Sequence, residues 1–157
     1  MSVQIHASEW LNTPGPLELS SLRGRIVLLL AFQMHCPGCV IQAVPQAQRV
    51  RASFREDEVA VIGLHSVFEN HAEAAPERLR DFVTEHQLSF PIAVDAASLD
   101  HPVPRTMRAL QLPGTPTTVL FDRQGRLRLR RFGHLDDLRL GAMLGQLLSE
   151  PSAASAS

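Results

Sequence analysis

The sequence predicts an α/β protein, a three-layer α/β/α sandwich built around a mixed central sheet. Apolar runs that suit strands alternate with segments of helical apolar spacing, which indicates parallel strands joined by helices. Two later strands are separated only by the tight-turn sequence Asp122-Arg-Gln-Gly125, which predicts an antiparallel hairpin at one edge. A dense turn signal, Asn12-Thr-Pro-Gly-Pro16, lies between Trp10-Leu11 and Leu17-Glu-Leu19 and predicts an N-terminal β-hairpin extension.

The remaining elements follow in chain order from their apolar spacing. The core strands are predicted at residues 26–32, 59–64, 90–94, 117–122 and 126–132. The helices are predicted at residues 37–54, 76–87, 105–110 and 135–148. In the first helix Pro45 should introduce a kink, and one apolar face is predicted to contain Val40, Ile41, Val44, Ala47 and Val50.

The composition is that of an ordinary globular protein. The chain has 157 residues, of which 45% are hydrophobic, and a formal net charge of −1. Residues 1–150 are expected to form a single domain, with 151–157 a disordered tail. The N-terminus shows neither the basic nor the apolar region of a signal peptide, and the longest apolar run is too short to span a bilayer. We therefore expect a cytoplasmic protein that binds neither nucleic acid nor membranes.

The only two cysteines of the chain mark the candidate active site. Cys36 and Cys39 are separated by two residues and lie directly between a predicted strand and a predicted helix. A helix N-terminus presents free N–H groups and the positive end of a dipole, which favours thiolate over thiol at Cys36. Cys39, one helical turn on, would lie beneath Cys36, close enough to form a disulfide. This spacing and setting indicate a redox pair with Cys36 as nucleophile and Cys39 as resolving thiol.

Two other interpretations of the pair are open. The cysteines could be inert buried thiols, or they could form half of a zinc site. Zinc needs four ligands, and without a second Cys-X-X-Cys or a His-X-X-X-His it would depend on scattered histidines such as His35 and His65. We predict no metal and no other cofactor.

Three features together resemble the thioredoxin fold, and within it the TlpA-like branch of the redoxins, which is related to the AhpC/TSA peroxiredoxin superfamily. They are the Cys36-Pro-Gly-Cys39 motif, the lead-in to the first core strand at 22–30, and Gly114-Thr-Pro116 before the strand at 117–122. The resemblance covers about residues 8–148. It implies a thioredoxin-like sandwich and a thiol–disulfide oxidoreductase.

The resemblance also implies how the site works. In this fold a cis proline faces the cysteine pair, which here implies Pro116. Because proline lacks an N–H, Thr115 before it would offer its backbone to a substrate polypeptide while Cys36 attacks the disulfide. The substrate would be a disulfide-containing protein or small molecule, and the expected net direction is reductive. A thiol reductant such as thioredoxin or glutathione would restore the dithiol.

The chain departs from the family pattern at three positions. His35 replaces the usual tryptophan before the first cysteine. As imidazolium it would stabilise the Cys36 thiolate, as neutral imidazole it could accept the thiol proton, or it could be an exposed residue without a role. Leu30 stands where a buried acid or asparagine is common, and Pro45 falls one residue later than usual.

Two residues could compensate for the acid that Leu30 replaces. His65 ends the second core strand, and the C-terminal end of that strand should open on the same edge as the cysteines. Glu69 lies near the position at which the TlpA-like branch often carries an acid. Either residue could accept the Cys39 proton, or be merely a polar loop residue.

Two alternative functions remain. A peroxiredoxin-like thiol peroxidase is expected to have a proline seven residues and a threonine or serine three residues before its cysteine, where this chain has Leu29 and Gln33. It also needs an arginine six residues before Asp122, where this chain has Pro116. These substitutions disfavour a peroxidase, although the Gln33 amide could donate a hydrogen bond to a peroxide. The third possibility is a non-catalytic binding module that uses the groove at Thr115.

Overall fold

The computed structural model describes residues 3–68 and 75–151. The described strands are β1 (Ala7–Leu11), β2 (Ile26–Phe32), β3 (Val59–His65), β4 (Ile92–Asp95), β5 (Thr117–Phe121) and β6 (Leu127–Phe132). The described α-helices are α1 (Val44–Ser53), α2 (Pro76–Glu85), α3 (Arg105–Ala109) and α4 (Asp137–Ser149). The strands form one mixed sheet in the order β1-β4-β3-β2-β5-β6. β2, β3 and β4 are parallel, and β1, β5 and β6 run antiparallel to their neighbours.

The sheet separates two apolar clusters, as the predicted sandwich requires. β2 lies at the centre, and all seven of its residues are buried. Because successive side chains point to opposite faces, Leu28 and Leu30 join the cluster under α1, α2 and α4. Val27 and Leu29 join the second cluster, which α3 and the N-terminal segment cover. The predicted α/β/α sandwich is confirmed.

The predicted N-terminal β-hairpin is wrong. The residues after the turn form a short 3-10 helix, Leu19–Leu22, in place of a second strand. β1 pairs with β4 instead, with Trp10 opposite Ala93. The amide of Asn12 donates to the carbonyl oxygen of Leu88 at 2.7 Å and so ties the turn to the segment before β4. This pairing covers the open edge of an existing sheet, whereas a two-stranded hairpin is marginal by itself.

The helix after the first cysteine begins at Pro37 and contains an irregular turn. Cys39–Ala43 is π-helical, and the N–H of Val44 donates to the carbonyl of Cys39 five residues earlier. Pro45 follows directly and has no N–H to donate, so the ordinary α-helical bond from this position is missing. The turn and the proline together give the helix its predicted irregularity.

This turn also explains an error in the predicted buried face. Val44, Ala47 and Val50 are buried as predicted, whereas Ile41 is 73% exposed. Ile41 lies within the π-helical turn, where the wider spacing changes which residues share a face with those of α1. A straight helical wheel therefore misplaces it.

The other predicted elements are confirmed within a few residues. α4 begins at Asp137, two residues later than predicted, because the side chain of Asp136 accepts hydrogen bonds from the N–H groups of Leu138 and Arg139. The single domain and the disordered tail stay predictions, since residues 152–157 lie outside the described residues.

Candidate active site

Three segments meet at one edge of the sheet. Phe32 and His65 are the last residues of β2 and β3 and lie opposite each other. Thr117, the first residue of β5, pairs with Ala31 of β2. The loop carrying Cys36, the end of β3 and the loop before β5 therefore share this edge, which is where α/β sheets commonly bind ligands.

The two cysteines are stacked, with one accessible and one buried. Cys36 is partly exposed, Cys39 is 0% exposed, and both are free thiols. The N–H of Cys39 donates a hydrogen bond to Sγ of Cys36 at 3.3 Å. The N–H of Cys36 in turn donates to the carbonyl of Gln33 at 3.2 Å. Only the Cys36 sulfur is placed to meet a substrate.

The loop before β5 packs directly against this pair. The peptide bond between Thr115 and Pro116 is cis. Sγ of Cys36 donates to the carbonyl oxygen of Thr115 at 3.6 Å. A Cβ built on Gly38 would lie 3.6 Å from Cδ of Pro116, so the first helical turn and the proline ring are in contact.

Hydrogen bonds from the neighbouring strand ends hold the loop before β5 in place. The hydroxyl of Thr117 donates to the carbonyl of Gly114 at 2.6 Å. The N–H of Gly133 donates to the carbonyl of Pro116 at 2.8 Å, directly after β6. Thr115 is thus held at a defined distance from Cys36.

The buried sulfur of Cys39 is difficult to ionise. The pKa of the Cys39 thiol is raised to about 12, mainly by burial and to a smaller extent by the neighbouring Cys36 sulfur. Two hydrogen bonds act in the opposite direction and lower this pKa, one from the backbone of Gln33 and one from the side chain of Thr115. Leu30, at the position of the family's acid, is buried in the apolar cluster.

His65 supports the loop that leads to the cysteines. Its ring is 1% exposed, and Nε2 accepts a hydrogen bond from the N–H of Met34 at 3.3 Å. The ring also meets Phe32 edge-on, with centroids 5.3 Å apart. Burial lowers the pKa of His65 to about 4, and the charge of His35 adds to this effect. The role of His65 as proton acceptor for Cys39 stays a prediction.

The other sequence-predicted residues have mixed outcomes. His35 is exposed and close enough to His65 to influence its ionisation, and its own role stays a prediction. Glu69 lies outside the described residues. Among residues 3–68 and 75–151, no group of three or more His, Cys, Asp or Glu side chains could hold a metal ion. No helix in this part of the chain is both long enough and apolar enough to cross a membrane.

A buried polar cluster beside the site was missed by the sequence reasoning. The carboxylate of Asp95 accepts the N–H groups of Thr106 and Met107 at 2.8 and 3.0 Å, and the hydroxyl of Ser66 at 2.9 Å. Ser66 follows His65 and donates its N–H to the carbonyl of Phe32. Asp95 therefore caps α3 from a neighbouring strand. Residue 95 lies ten positions before the helix, so no local capping signal could have shown this.

Comparison with known proteins agrees with this geometry. A model of the AhpC/TSA family matches residues 7–130. The crystal structure of a thioredoxin-like superfamily protein has a TM-score of 0.94 and 44% sequence identity, covering 96% of this chain and 97% of that one. A thiol-disulfide isomerase from Corynebacterium glutamicum has a TM-score of 0.92 and 46% identity, with the same coverage.

A longer curated protein is also similar. Protein DipZ of Mycobacterium bovis is 30% identical over 143 residues, which make up 90% of this chain. The chain spans only 19% of the length of that protein. The family model matches most of this chain, and the chain belongs to the AhpC/TSA family, with a thioredoxin-like fold of the thiol–disulfide oxidoreductase type.

Proposed function

We propose that this protein is a thiol–disulfide oxidoreductase in which Cys36 attacks a substrate disulfide and Cys39 resolves the mixed disulfide. One observation carries the proposal. The accessible sulfur of Cys36 lies directly over the fully buried Cys39, whose N–H donates to it at 3.3 Å. The similarity to the Corynebacterium glutamicum thiol-disulfide isomerase supports the same reaction class.

In the first step the Cys36 thiolate attacks one sulfur of the substrate. A bond forms between Cys36 and that sulfur, and the second substrate sulfur leaves as a thiolate. The N–H of Cys39 favours the reactive form, because its hydrogen bond to the Cys36 sulfur strengthens when that sulfur is charged. The backbone of Thr115, beside Cys36, is the proposed docking point for a polypeptide substrate.

In the second step Cys39 attacks Sγ of Cys36. The intramolecular disulfide forms, and the remaining substrate sulfur leaves and takes up a proton. Run in reverse, the same steps reduce the enzyme disulfide while one external dithiol, or two molecules of a monothiol, is oxidised to a disulfide. We propose that the net direction is reductive, on disulfide-containing proteins or small molecules, with thioredoxin or glutathione as reductant. We also propose that the protein belongs to the TlpA-like branch and is located in the cytoplasm.

Trapping of the mixed disulfide tests the mechanism. A Cys39→Ser variant incubated with oxidised glutathione or a disulfide-bonded peptide should retain one substrate half on Cys36, detected by intact-mass measurement. The matched Cys36→Ser variant should retain none, because its remaining thiol is buried. Adducts of equal yield on both variants would contradict the assignment of roles.

A thiol peroxidase is the second candidate, favoured by the match to the AhpC/TSA family. The positions that activate peroxide in that class are occupied by Leu29, Gln33 and Pro116, and the first two of these are buried. Hydrogen peroxide consumption measures this directly. Consumption that is fast in the Cys39→Ser variant and no faster than free thiol in Cys36→Ser would replace the oxidoreductase with the peroxidase.

A further inference from the structure

We propose that His65 is a positioning residue, which holds the loop after β2 through Nε2 and so aligns the Cys36 sulfur for attack by Cys39. The inference rests on the proposed oxidoreductase function and deepens it. It assigns His65 an effect on the rate of resolution that acts through the backbone of the loop, in place of proton transfer. The observation that carries it is the buried hydrogen bond of 3.3 Å from the Met34 N–H to Nε2.

The end of β3 holds the loop after β2 at two successive points. The N–H of Ser66 donates to the carbonyl of Phe32 at 3.0 Å, and the N–H of Met34 donates to Nε2 of His65. Met34 is only 8% exposed. Without the histidine acceptor its N–H would be left buried and unpaired, so the loop would have to move to satisfy it.

Cys36 lies two residues beyond the second of these points. Its N–H donates at 3.2 Å to the carbonyl of Gln33, the residue between the two points. Its sulfur accepts the N–H of Cys39 at 3.3 Å and lies 3.6 Å from the carbonyl oxygen of Thr115. A displacement of the loop would therefore move the sulfur relative to both of its contacts.

The ring of His65 is itself held firmly. His65 is the last residue of β3 and lies between Phe32 of β2 and Val94 of β4. The residue is 1% exposed, and its ring meets that of Phe32 edge-on, with centroids 5.3 Å apart. The acceptor for the loop is thus fixed in position by the sheet before any substrate arrives.

The same hydrogen bond determines which ring nitrogen carries the proton. Nε2 accepts an N–H, so in the neutral ring the proton lies on Nδ1. A ring in this state has no free lone pair with which to accept the Cys39 proton. Burial lowers the pKa of His65 to about 4, with a further effect of the charge of His35, so the neutral ring is the form present at neutral pH.

Resolution is the step that depends most on this alignment. Cys39 loses its proton and attacks Sγ of Cys36, and a bond forms between the two sulfurs. The bond from Cys36 to the substrate sulfur breaks, and the departing sulfur takes the electron pair and one proton. An intramolecular reaction of this kind owes its rate to the alignment of the reacting atoms, so a small displacement is costly.

The test uses the reduced protein and a chromogenic aromatic disulfide in stopped-flow absorbance. Attack by Cys36 releases a first coloured thiolate at a rate proportional to the disulfide concentration. Resolution by Cys39 releases a second at a rate independent of it. His65→Leu removes the acceptor, whereas His65→Gln supplies an amide oxygen as acceptor but cannot act as a base. The readout is the ratio of the second rate to the first, followed across pH.

Two control variants report on structural damage alone. His101→Leu also removes a histidine acceptor of a backbone N–H, that of Val103 at 3.1 Å, in the exposed loop after β4. Leu147→Ala leaves a cavity at the opposite edge of the sheet, where the carbonyl of Leu148 accepts a hydrogen bond from Arg123 directly after β5. Both controls should keep the wild-type ratio, even where denaturant unfolding shows a loss of stability.

We expect His65→Leu to lower the ratio about tenfold, the scale of one buried hydrogen bond, and by the same factor across the pH range. His65→Gln should restore most of it. An unchanged ratio in His65→Leu would overturn the inference, as would an equal fall in Leu147→Ala. It would also be overturned if both His65 variants were slow with a deficit that shrinks at high pH, because that pattern is typical of a lost proton acceptor. Release of only one coloured thiolate by the wild-type protein would instead overturn the proposed function.

Discussion

The backbone N–H of Met34 donates a hydrogen bond to Nε2 of the buried His65. Met34 lies between β2 and Cys36, so this bond attaches the active-site loop to the end of β3. The bond requires a neutral ring, because an imidazolium has no lone pair at Nε2 to offer. The protonation state of His65 and the support of the loop are therefore linked.

Acid should destabilise the protein through His65. Burial, with a smaller effect of His35, lowers the pKa of His65 from 6.5 to about 4. Because the folded-state pKa lies below the unfolded value, the stabilising contribution is full above the unfolded value and is lost as pH falls towards the folded one. Between about pH 7 and about pH 5 the wild type should lose about 2 kcal/mol more stability than His65→Gln, which keeps an acceptor but does not titrate. Denaturant unfolding at both pH values measures this, and equal losses would contradict it.

Alkylation should distinguish the two cysteines. At mildly alkaline pH almost none of Cys39 is thiolate, because its pKa is raised to about 12, and its sulfur has no exposed surface. We expect iodoacetamide to label Cys36 at least about 100-fold faster than Cys39 in the folded, reduced protein. Peptide mass spectrometry after timed quenching gives both rates. The Cys36→Ser variant is the control, and it should be labelled only after denaturation.

Replacing Gly63 by alanine should destabilise the centre of the sheet. A Cβ there would lie 3.0 Å from ring atoms of both Phe32 and Phe90 and 3.2 Å from Cγ1 of Ile92, all fully buried. We expect a loss of about 1–3 kcal/mol, typical of overpacking in a rigid core. Gly141→Ala is the matched control, since Gly141 is at an exposed position of α4 and nothing lies within 4 Å of its added methyl group. That variant should gain up to about 1 kcal/mol, and similar effects of both changes in denaturant unfolding would refute the packing argument.

Loss of the Asp95 carboxylate, which caps α3, should destabilise the protein more than loss of the Ser66 hydroxyl, which makes one hydrogen bond to that carboxylate. Asp95→Ala removes three hydrogen bonds and leaves the N–H groups of Thr106 and Met107 buried without their acceptor, so we expect a cost of about 3 kcal/mol. Ser66→Ala removes only one of these bonds and should cost about 1 kcal/mol. Equilibrium unfolding compares the two. A cost of Ser66→Ala equal to that of Asp95→Ala would show that the carboxylate does not carry the cap.

Features with a local signal were predictable from the sequence. The apolar runs of β2 and β3, the Cys36-Pro-Gly-Cys39 motif and the turn before β6 each depend on neighbouring residues, and their elements appear where expected. The predicted face of the first helix was right for Val44 and wrong for Ile41, because a π-helical turn has no clear sequence pattern. Local reasoning succeeds where the chain stays regular.

Features that join distant segments could not be predicted. Nothing near Trp10 indicates that its strand will pair with β4 rather than fold back on itself. The same holds for Asp95 as a cap of α3 and for the bond from Met34 to His65, whose partners are brought together only by the completed sheet. Each of these pairings depends on which backbone and side-chain polar groups still lack a hydrogen-bond partner once the core has formed.

The π-helical turn from Cys39 to Ala43 connects the part of the helix that carries the cysteines to the part that packs against the sheet. The loop at the edge of the sheet sets the orientation of the residues before this turn. Packing against the apolar face of the sheet sets the orientation of the residues after it. The π-helical turn holds one residue more than a regular α-helical turn, and it lies directly before Val44 and Pro45. Deleting one residue here would rotate both sulfurs by about 100° relative to the part of the helix that packs on the sheet, and would carry Cys36 away from the carbonyl of Thr115. An insertion or deletion within this turn would thus change the orientation of the cysteines without changing the packing of α1 in the core.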